Sequence, residues 1–457
     1  MFSGRKVIYT STKDITRDNI ATVMTNAMEI HQCNALACNA LYKYYKGDQP
    51  IWNKTNDTRQ DINNIIVENR ANEIVSFKTG YLMGEPIQYV SRNSTKKQVN
   101  LVNKLNTYMN YDSKASKDKE LAEWFYICGT AYRMILPNDP TSETPFSTYV
   151  LNPATTFVVY SNDIKREPVL ACVISKTTDI PSVVTYNVYT KDWYYLLDET
   201  YEVMEYIPHY MKRIPIIEYP ANNARLGSFE IVITILDAIN RLQSDRLDAV
   251  DMFVQALLVI KNAQLEEGET IESIKKKGGL FLPKDAEISY LTQSLDQHQT
   301  QTLADNMYQS VLTICGMPNR NGGSSTSDTG TAVVLRDGWS AAEARAKDQE
   351  LMFKLSERQL LEIAGDIMSA YNGEKLEVKD IDIRFTRRNY ENISEKSTVL
   401  TTLLANNKIH PKLAFEHCGM FADSDLAYTI SQEYYDKQVA NQVADLQDIE
   451  KENLHEE

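Results

Sequence analysis

The chain has 457 residues, 43% of them apolar and 24% charged, and its 48 Lys and Arg against 62 Asp and Glu give a formal net charge of −14. That length predicts two to four structural units, since single hydrophobic cores stop growing beyond roughly 250–300 residues, and the globular composition excludes wholesale disorder and a fibrous repeat. A site-specific DNA binder carries a basic footprint, so nucleic acid is either not a partner of this acidic chain or is held without being gripped.

In chain order, 17–46 reads as a long helix ended by Gly47 and Pro50, and 68–82 as a second helix stopped by Gly84 and Pro86. Residues 87–90 are extended, and 96–110 and 116–128 are amphipathic helices. From 131 to 219 β-branched and aromatic residues alternate between turn signals, which predicts an antiparallel meander. Its eight tyrosines between Tyr186 and Tyr219 suit a half-wet sheet face. Residues 225–261 carry no Pro, and no Gly after Gly227, so they predict one helix of roughly 50 Å. Its apolar stripe is Val232, Leu236, Ile239, Leu242, Val250, Phe253 and Leu257, with Asp237, Arg241, Asp245, Asp248 and Asp251 opposite. A compact insert over 262–293 predicts a short helix at 270–277 and strands at 279–282 and 287–291. A helix at 296–315 returns and ends at Gly316. Residues 319–330 (NRNGGSSTSDTG) have the composition of a flexible loop. A very long helix follows over 331–371, then a strand at 380–385, two or three shorter helices between 391 and 442, and an acidic tail over 440–457.

The longest apolar stretch, 253–260, is broken by Gln255 and is far shorter than the ~20 residues that span a bilayer. Residues 1–18 are polar and mixed, unlike a cleaved leader. A soluble, non-secreted protein without membrane contact is expected. The cysteines (Cys33, Cys38, Cys128, Cys172, Cys315 and Cys418) are too sparse for a disulfide scaffold and point to a reducing compartment.

Chemistry-bearing patterns are sparse. The sequence has no Gly-x-x-x-x-Gly-Lys-Ser/Thr, no Gly-x-Ser-x-Gly and no His-Glu-x-x-His. His31, Cys33 and Cys38 sit inside a helical pattern without a second ligand pair, and core packing explains them better than a metal; His417 and Cys418 with His410 invite a nucleophile reading, but one adjacent pair is explained better by packing. Asp245, Asp248 and Asp251 lie three apart on one helix face, a spacing open to a divalent cation. Arg241 and Arg246 neutralise part of that face, so a solvated or lumen-facing stripe is the preferred reading. Glu377 and Lys379 with Asp366 upstream suggest a metal-dependent nuclease, although edge-strand charge is the simpler account. Lys275, Lys276 and Lys277 form the one basic run, open to phosphate contact but more simply a helix C-terminal cap. No catalytic residue, metal or cofactor is expected.

The order of parts is distinctive: mixed α/β body, rod, small insert, returning rod, Gly/Ser loop, long helix, strand, helical end. Residues 72–87 (NEIVSFKTGYLMGEPI), 129–133 (GTAYR), 151–160 (LNPATTFVVY), 215–220 (PIIEYP), 226–230 (LGSFE), 239–245 (INRLQSD) and Gly316-Met-Pro318 before the Ser/Gly loop together resemble the portal proteins of tailed bacteriophages, the siphophage head-to-tail connector family. The resemblance covers about residues 15–435.

It implies an α+β portal fold with an α/β wing, two-helix stem, small α/β clip, long spine helix and helical crown. By position, 1–224 is the N-terminal part of the wing, 225–261 the stem helix, 262–295 the clip, 296–316 the returning stem helix, 317–331 the tunnel loop, 332–390 the spine helix and wing completion, and 391–457 the crown and acidic tail. The implied role is a non-catalytic homo-oligomeric ring, a dodecamer, at one capsid vertex of the virion, assembled in the host cytoplasm. Double-stranded DNA passes through it in both directions. The implied partners are the terminase large subunit, a head-completion adaptor, and the major capsid and scaffolding proteins. Asn319, Arg320, Asn321, Gly322, Gly323, Ser324, Ser325, Thr326, Ser327 and Asp328 become the tunnel loop, Asp237, Arg241, Asp245 and Asp248 candidates for the stem lumen, and Lys275, Lys276 and Lys277 a clip docking site. A nuclease using Glu377, Lys379 and Asp366, or a non-ring head adaptor, are the competing readings.

Overall fold

A computed structural model describes residues 4–56, 60–92, 95–178, 182–254, 257–261, 287–291, 297–319, 338–386, 393–421 and 424–455. The chain forms two compact units: Met1–Tyr42, Glu73–Glu230 and Gly316–Glu457 make the first, and Lys43–Asn72 with Ile231–Cys315 the second.

The first unit is built on a six-stranded sheet in the order β1-β5-β6-β7-β8-β9. Strands β5 (Thr156–Ser161), β6 (Pro168–Lys176), β7 (Val184–Tyr189), β8 (Trp193–Leu197) and β9 (Val203–Pro208) form the expected antiparallel meander. Strand β1 (Ile8–Thr10), not expected from the sequence, pairs parallel with β5. Period-two alternation then sends Phe157 and Val159 to one face and Val158 to the other. On the first face, helix α1 (Ile20–Tyr45) lays Ile20, Val23, Met24, Ala27 and Met28, an i, i+3, i+4, i+7 stripe, over Phe157, Leu170, Val188 and Leu197. On the second, Val158 and Ala171 meet Tyr132, Met134 and Ile216.

Those last residues belong to a separate sheet, β10-β3-β4, made of β3 (Thr130–Pro137), β4 (Phe146–Leu151) and β10 (Ile216–Pro220). The stretch 131–219 is therefore two sheets and not one meander, because β5 is buried on both faces. The tyrosines divide accordingly: Tyr186 and Tyr195 lie in the core beneath α1, whereas Tyr206 and Tyr210 are exposed.

Helices α2 (Arg70–Leu82), α3 (Lys96–Tyr111) and α4 (Lys114–Cys128) match their expected positions. Gly129 closes α4 at φ +73°, and a Cβ there would come within 2.3 Å of the Arg225 carbonyl oxygen, so only glycine fits. Strand β2 (Gln88–Ser91) pairs antiparallel with a strand almost 300 residues later, Ile381–Arg384.

In the second unit the expected 225–261 rod is shorter. After a 3₁₀ turn at Glu230–Val232, helix α5 spans Ile233–Val254. Leu257–Lys261 then pairs, as strand β11, with β12 (Glu287–Leu291). The sequence Leu-Leu-Val-Ile favours a strand once it has a partner, which a periodicity reading of the segment alone does not supply. The expected elements at 270–277 and 279–282 lie outside the described residues. Helix α6 (Gln297–Cys315) ends at Gly316, φ +65°, as its sequence predicted.

Helix α7 (Trp339–Asn372) runs through the first unit and ends at Gly373. It is followed by β13 (Ile381–Arg384), α8 (Ile393–Leu404), α9 (Pro411–His417) and α10 (Ser424–His455). The acidic tail thus continues a helix.

Candidate functional site

Helix α5 carries the four stem candidates, Asp237, Arg241, Asp245 and Asp248. Leu236 and Ile239 are buried on its apolar side. Asp237, Asn240, Ser244, Asp248 and Asp251 recur at three- and four-residue steps, which places them in one line along the helix.

Residues 43–72 lie against that line. Tyr44 donates its hydroxyl to Asp237 Oδ1 at 2.8 Å, and the Asn240 amide donates to Gln49 Oε1. The extended stretch 62–69 then offers its backbone. The N–H of Glu68 donates to Asn240 Oδ1 (2.8 Å), that of Ile66 to Ser244 Oγ (2.9 Å) and that of Asn64 to Asp248 Oδ1 (2.7 Å). The Asn64 side-chain amide bridges Asp248 Oδ1 (2.9 Å) and Asp251 Oδ2 (2.7 Å), and Gln243 donates to Glu68 Oε1 at 2.6 Å. Lys54 Nζ reaches Asp248 and, at 3.1 Å, Asp245. Helix α6 packs beside α5, with Arg246 donating to Gln301 at 2.9 Å and the Arg70 guanidinium 4.1 Å above the Tyr308 ring.

The electrostatics follow from these partners. Burial pushes the Asp248 carboxyl upward, but hydrogen bonds from Lys54 and Asn64 outweigh it and hold it below the usual carboxylate range. Asp237 has fewer donors, so burial dominates and raises it against the opposing Tyr44 bond.

The four stem candidates therefore stand in two different environments. Asp248 is 5% exposed and, with Asp237, is engaged by the unit's own 43–72 segment. Asp245, Asp248 and Asp251, read from the sequence as a solvated or lumen-facing stripe, are not uniformly solvated in the chain, because Asp248 is covered and Asn64 and Lys54 take up its oxygens. The Arg241 side chain is 79% exposed and that of Asp245 52%, and the two are 3.8 Å apart. Arg320 to Asp328 and Lys275, Lys276 and Lys277 lie outside the described residues; Asn319 is half-buried.

The first unit holds a second polar construction. Glu357 on α7 is 0% exposed, and accepts from Tyr89, from the Tyr219 hydroxyl at 2.8 Å and from Lys114 Nζ at 2.8 Å, with Arg133 Nη1 3.6 Å away. Lys114 also meets Asp118 at 2.7 Å, and Arg133 pairs with Asp118. Two cations and two carboxylates are thus buried together with no net charge. Burial alone would raise the Glu357 carboxyl, but the charges of Lys114 and Arg133 more than reverse that and bring it down to about 2. In the same unit, Arg5 and Glu230 form a buried fork at 2.6 and 2.8 Å.

The residues weighed for enzymatic chemistry are otherwise occupied. His31 is 2% exposed, its ring tilted 35° against Phe157 with centroids 4.5 Å apart, and bonded to the Ala154 carbonyl; burial pulls its imidazole down to about 4. Cys38 is buried while Cys33 faces outward. Glu377 pairs with Lys375 at 3.4 Å and Lys379 at 3.7 Å, and Asp366 with Arg213 at 3.1 Å. Among the described residues no group of three or more His, Cys, Asp or Glu is arranged to hold a metal, and no helix is long and apolar enough to cross a membrane.

The ladder of Asn240, Ser244 and Asp248 was missed in the sequence, yet it has a signal there. Short polar side chains compete with the helical backbone and are poor choices for an exposed helix face. Their recurrence at four-residue steps marks a face that bonds another segment.

A family model described as phage portal protein, SPP1 Gp6-like, matches residues 29–456. No curated protein matches the chain. Among solved structures, the neck of an empty GTA particle with C6 symmetry is 12% identical, with 77% of this chain and 90% of that chain covered and a TM-score of 0.45. A chain from the virion of the native gene transfer agent particle is 12% identical, at 77% and 89% coverage and a TM-score of 0.42. The neck of the native GTA particle with C12 symmetry is 13% identical, at the same coverage and score. At these scores the assignment rests on the family model.

Proposed function

The chain belongs to the phage portal proteins of the SPP1 Gp6-like family, and on that premise we propose how its parts serve a portal. Copies of the chain form a closed ring of twelve at one capsid vertex of the virion, assembled in the host cytoplasm. Double-stranded DNA enters through it during packaging and leaves at ejection. The ring docks the terminase large subunit and later a head-completion adaptor, and it contacts the major capsid and scaffolding proteins. The family is a structural one, and ATP hydrolysis belongs to the terminase.

Residues 1–224 and 332–390 serve as wing and spine, α5 and α6 as stem, 262–295 as clip, 317–331 as tunnel loop and 391–457 as crown. The match over 29–456 carries this reading, and the charge on the stem supports it. Several Lys or Arg contacts to phosphate would add orders of magnitude in affinity through counterion release and stall a moving duplex. The 225–261 segment has four positive residues (Arg225, Arg241, Arg246, Lys261) and five negative ones (Glu230, Asp237, Asp245, Asp248, Asp251). Of the four stem candidates, the two exposed ones, Arg241 and Asp245, carry opposite charges. A wall of that kind passes DNA without gripping it, while Asn319, Arg320, Asn321 and the loop serines touch it weakly.

A negative-stain image or native mass of the purified chain should give a hollow ring of about a dozen copies. A monomer under conditions that support packaging would overturn the reading. Deleting 321–328 should impair packaging and leave rings intact. Changing Lys275, Lys276 and Lys277 to Glu should weaken terminase or adaptor docking; unchanged docking would reduce that run to a helix cap.

A further inference from the structure

We propose that the 62–69 segment acts as a register clasp for helix α5, with Asn240, Ser244 and Asp248 as its positioning residues. An extended chain advances about 6.6 Å per two residues, and an α-helix about 6 Å per four. The two repeats nearly coincide, so alternate amides (Glu68, Ile66, Asn64) meet acceptors one helical turn apart (Asn240, Ser244, Asp248). The same coincidence would let the segment slip by a whole turn. It is the residues at the ends of the ladder that prevent this. One turn before Asn240 stands Leu236, and one turn after Asp248 stands Met252. Neither can accept from an N–H as an oxygen does, so a slip in either direction strands a backbone donor, which is costly in a covered site.

Lys54 adds a second constraint, since it spans Asp245 and Asp248 and holds the clasp to that turn. The consequence for α5 is axial: the clasp decides at which height and on which side Arg241 and Asp245 are presented. This inference rests on geometry within one unit and does not depend on the portal reading.

The test is a disulfide register map in the full chain. Ser244 Oγ lies 2.9 Å from the Ile66 amide nitrogen, which brings the two α-carbons within disulfide reach, about 4–7 Å. Ile66→Cys with Ser244→Cys should therefore close under mild oxidation, and Ile66→Cys with Asp248→Cys, one turn away, should close at least tenfold less. Equal closure of both pairs overturns the proposal. Hydrogen exchange supplies the second readout should a cysteine pair disturb folding. Ser244→Ala should speed exchange of the peptide containing Ile66 at least tenfold, while Ser244→Thr, which keeps the acceptor, should stay within twofold of the parent chain. Equal exchange in all three chains overturns it as well.

Discussion

The cluster around Glu357 and the ladder on α5 use overlapping residue types and hold their elements in opposite ways. Around Glu357, side chains from β2, α4, β3, β10 and α7 neutralise one another in a buried cluster, charge against charge. On α5, neutral or singly charged acceptors satisfy the backbone of an extended segment, and Lys54 bridges two of the carboxylates from a side chain that keeps some exposure. The first construction depends on charge balance and tolerates no missing member. The second depends on spacing, and each rung can fail alone.

That contrast can be broken by measurement. The largest effect is expected from Glu357→Ala, which leaves Lys114 and Arg133 buried against Asp118 alone. Removing one partner of a buried ion pair costs about 3–5 kcal/mol, and chemical denaturation should show a loss of that size. A loss under 1 kcal/mol would mean that the cluster is wet or rearranges.

Acidification comes next and should act on the first unit. An ordinary imidazole binds its proton near 6.5, and buried His31 only near 4. The unfolded chain therefore takes up a proton that the folded chain refuses, and stability falls between pH 6.5 and 4 by about 3 kcal/mol. Glu357 acts in the same direction in a lower window. Its carboxyl is held at about 2 against an ordinary 4.5, so its contribution is present above 4.5 and is lost as pH falls toward 2. His31→Gln should flatten the upper window and leave the lower one. An unchanged upper window would assign it to another group.

Asp248→Ala comes third. It strands the Asn64 backbone amide and leaves Lys54 to Asp245 and the Asn64 carbonyl, with an expected cost of about 1–3 kcal/mol and loss of amide protection confined to 62–69. Asp248→Asn, which keeps the oxygen, should cost less; equal costs would make Lys54 the sole contributor. Asp245→Ala should have the smallest effect. Its carboxylate is half exposed and shared by Lys54 and Arg241, so the change should stay within about 1 kcal/mol and shrink further in high salt.

Much of the fold was legible because periodicity is local. The stripe Ile20, Val23, Met24, Ala27 predicts α1, and the Gly316 and Gly373 stops mark the ends of α6 and α7, since side-chain spacing and glycine's access to positive φ act within a few residues. The strand at 257–261 was not legible: its apolar run suits either state, and only pairing with 287–291 chose between them. The same limit applies to the candidate site. Composition and spacing placed Asp237, Arg241, Asp245 and Asp248 on one helix, but their environments depend on residues nearly 200 positions earlier, Tyr44, Lys54 and Asn64.

The sequence by itself determined most of the helices, the near balance of charge along the 225–261 segment and the family to which the chain belongs. Only the tertiary structure decided which charges are buried in pairs, which acids hold the clasp and which pair, Arg241 and Asp245, remains exposed. The physical reason is range. Helix and strand preferences are settled between neighbours along the chain, whereas a carboxylate's solvation and proton affinity are set by whatever distant segment folds against it.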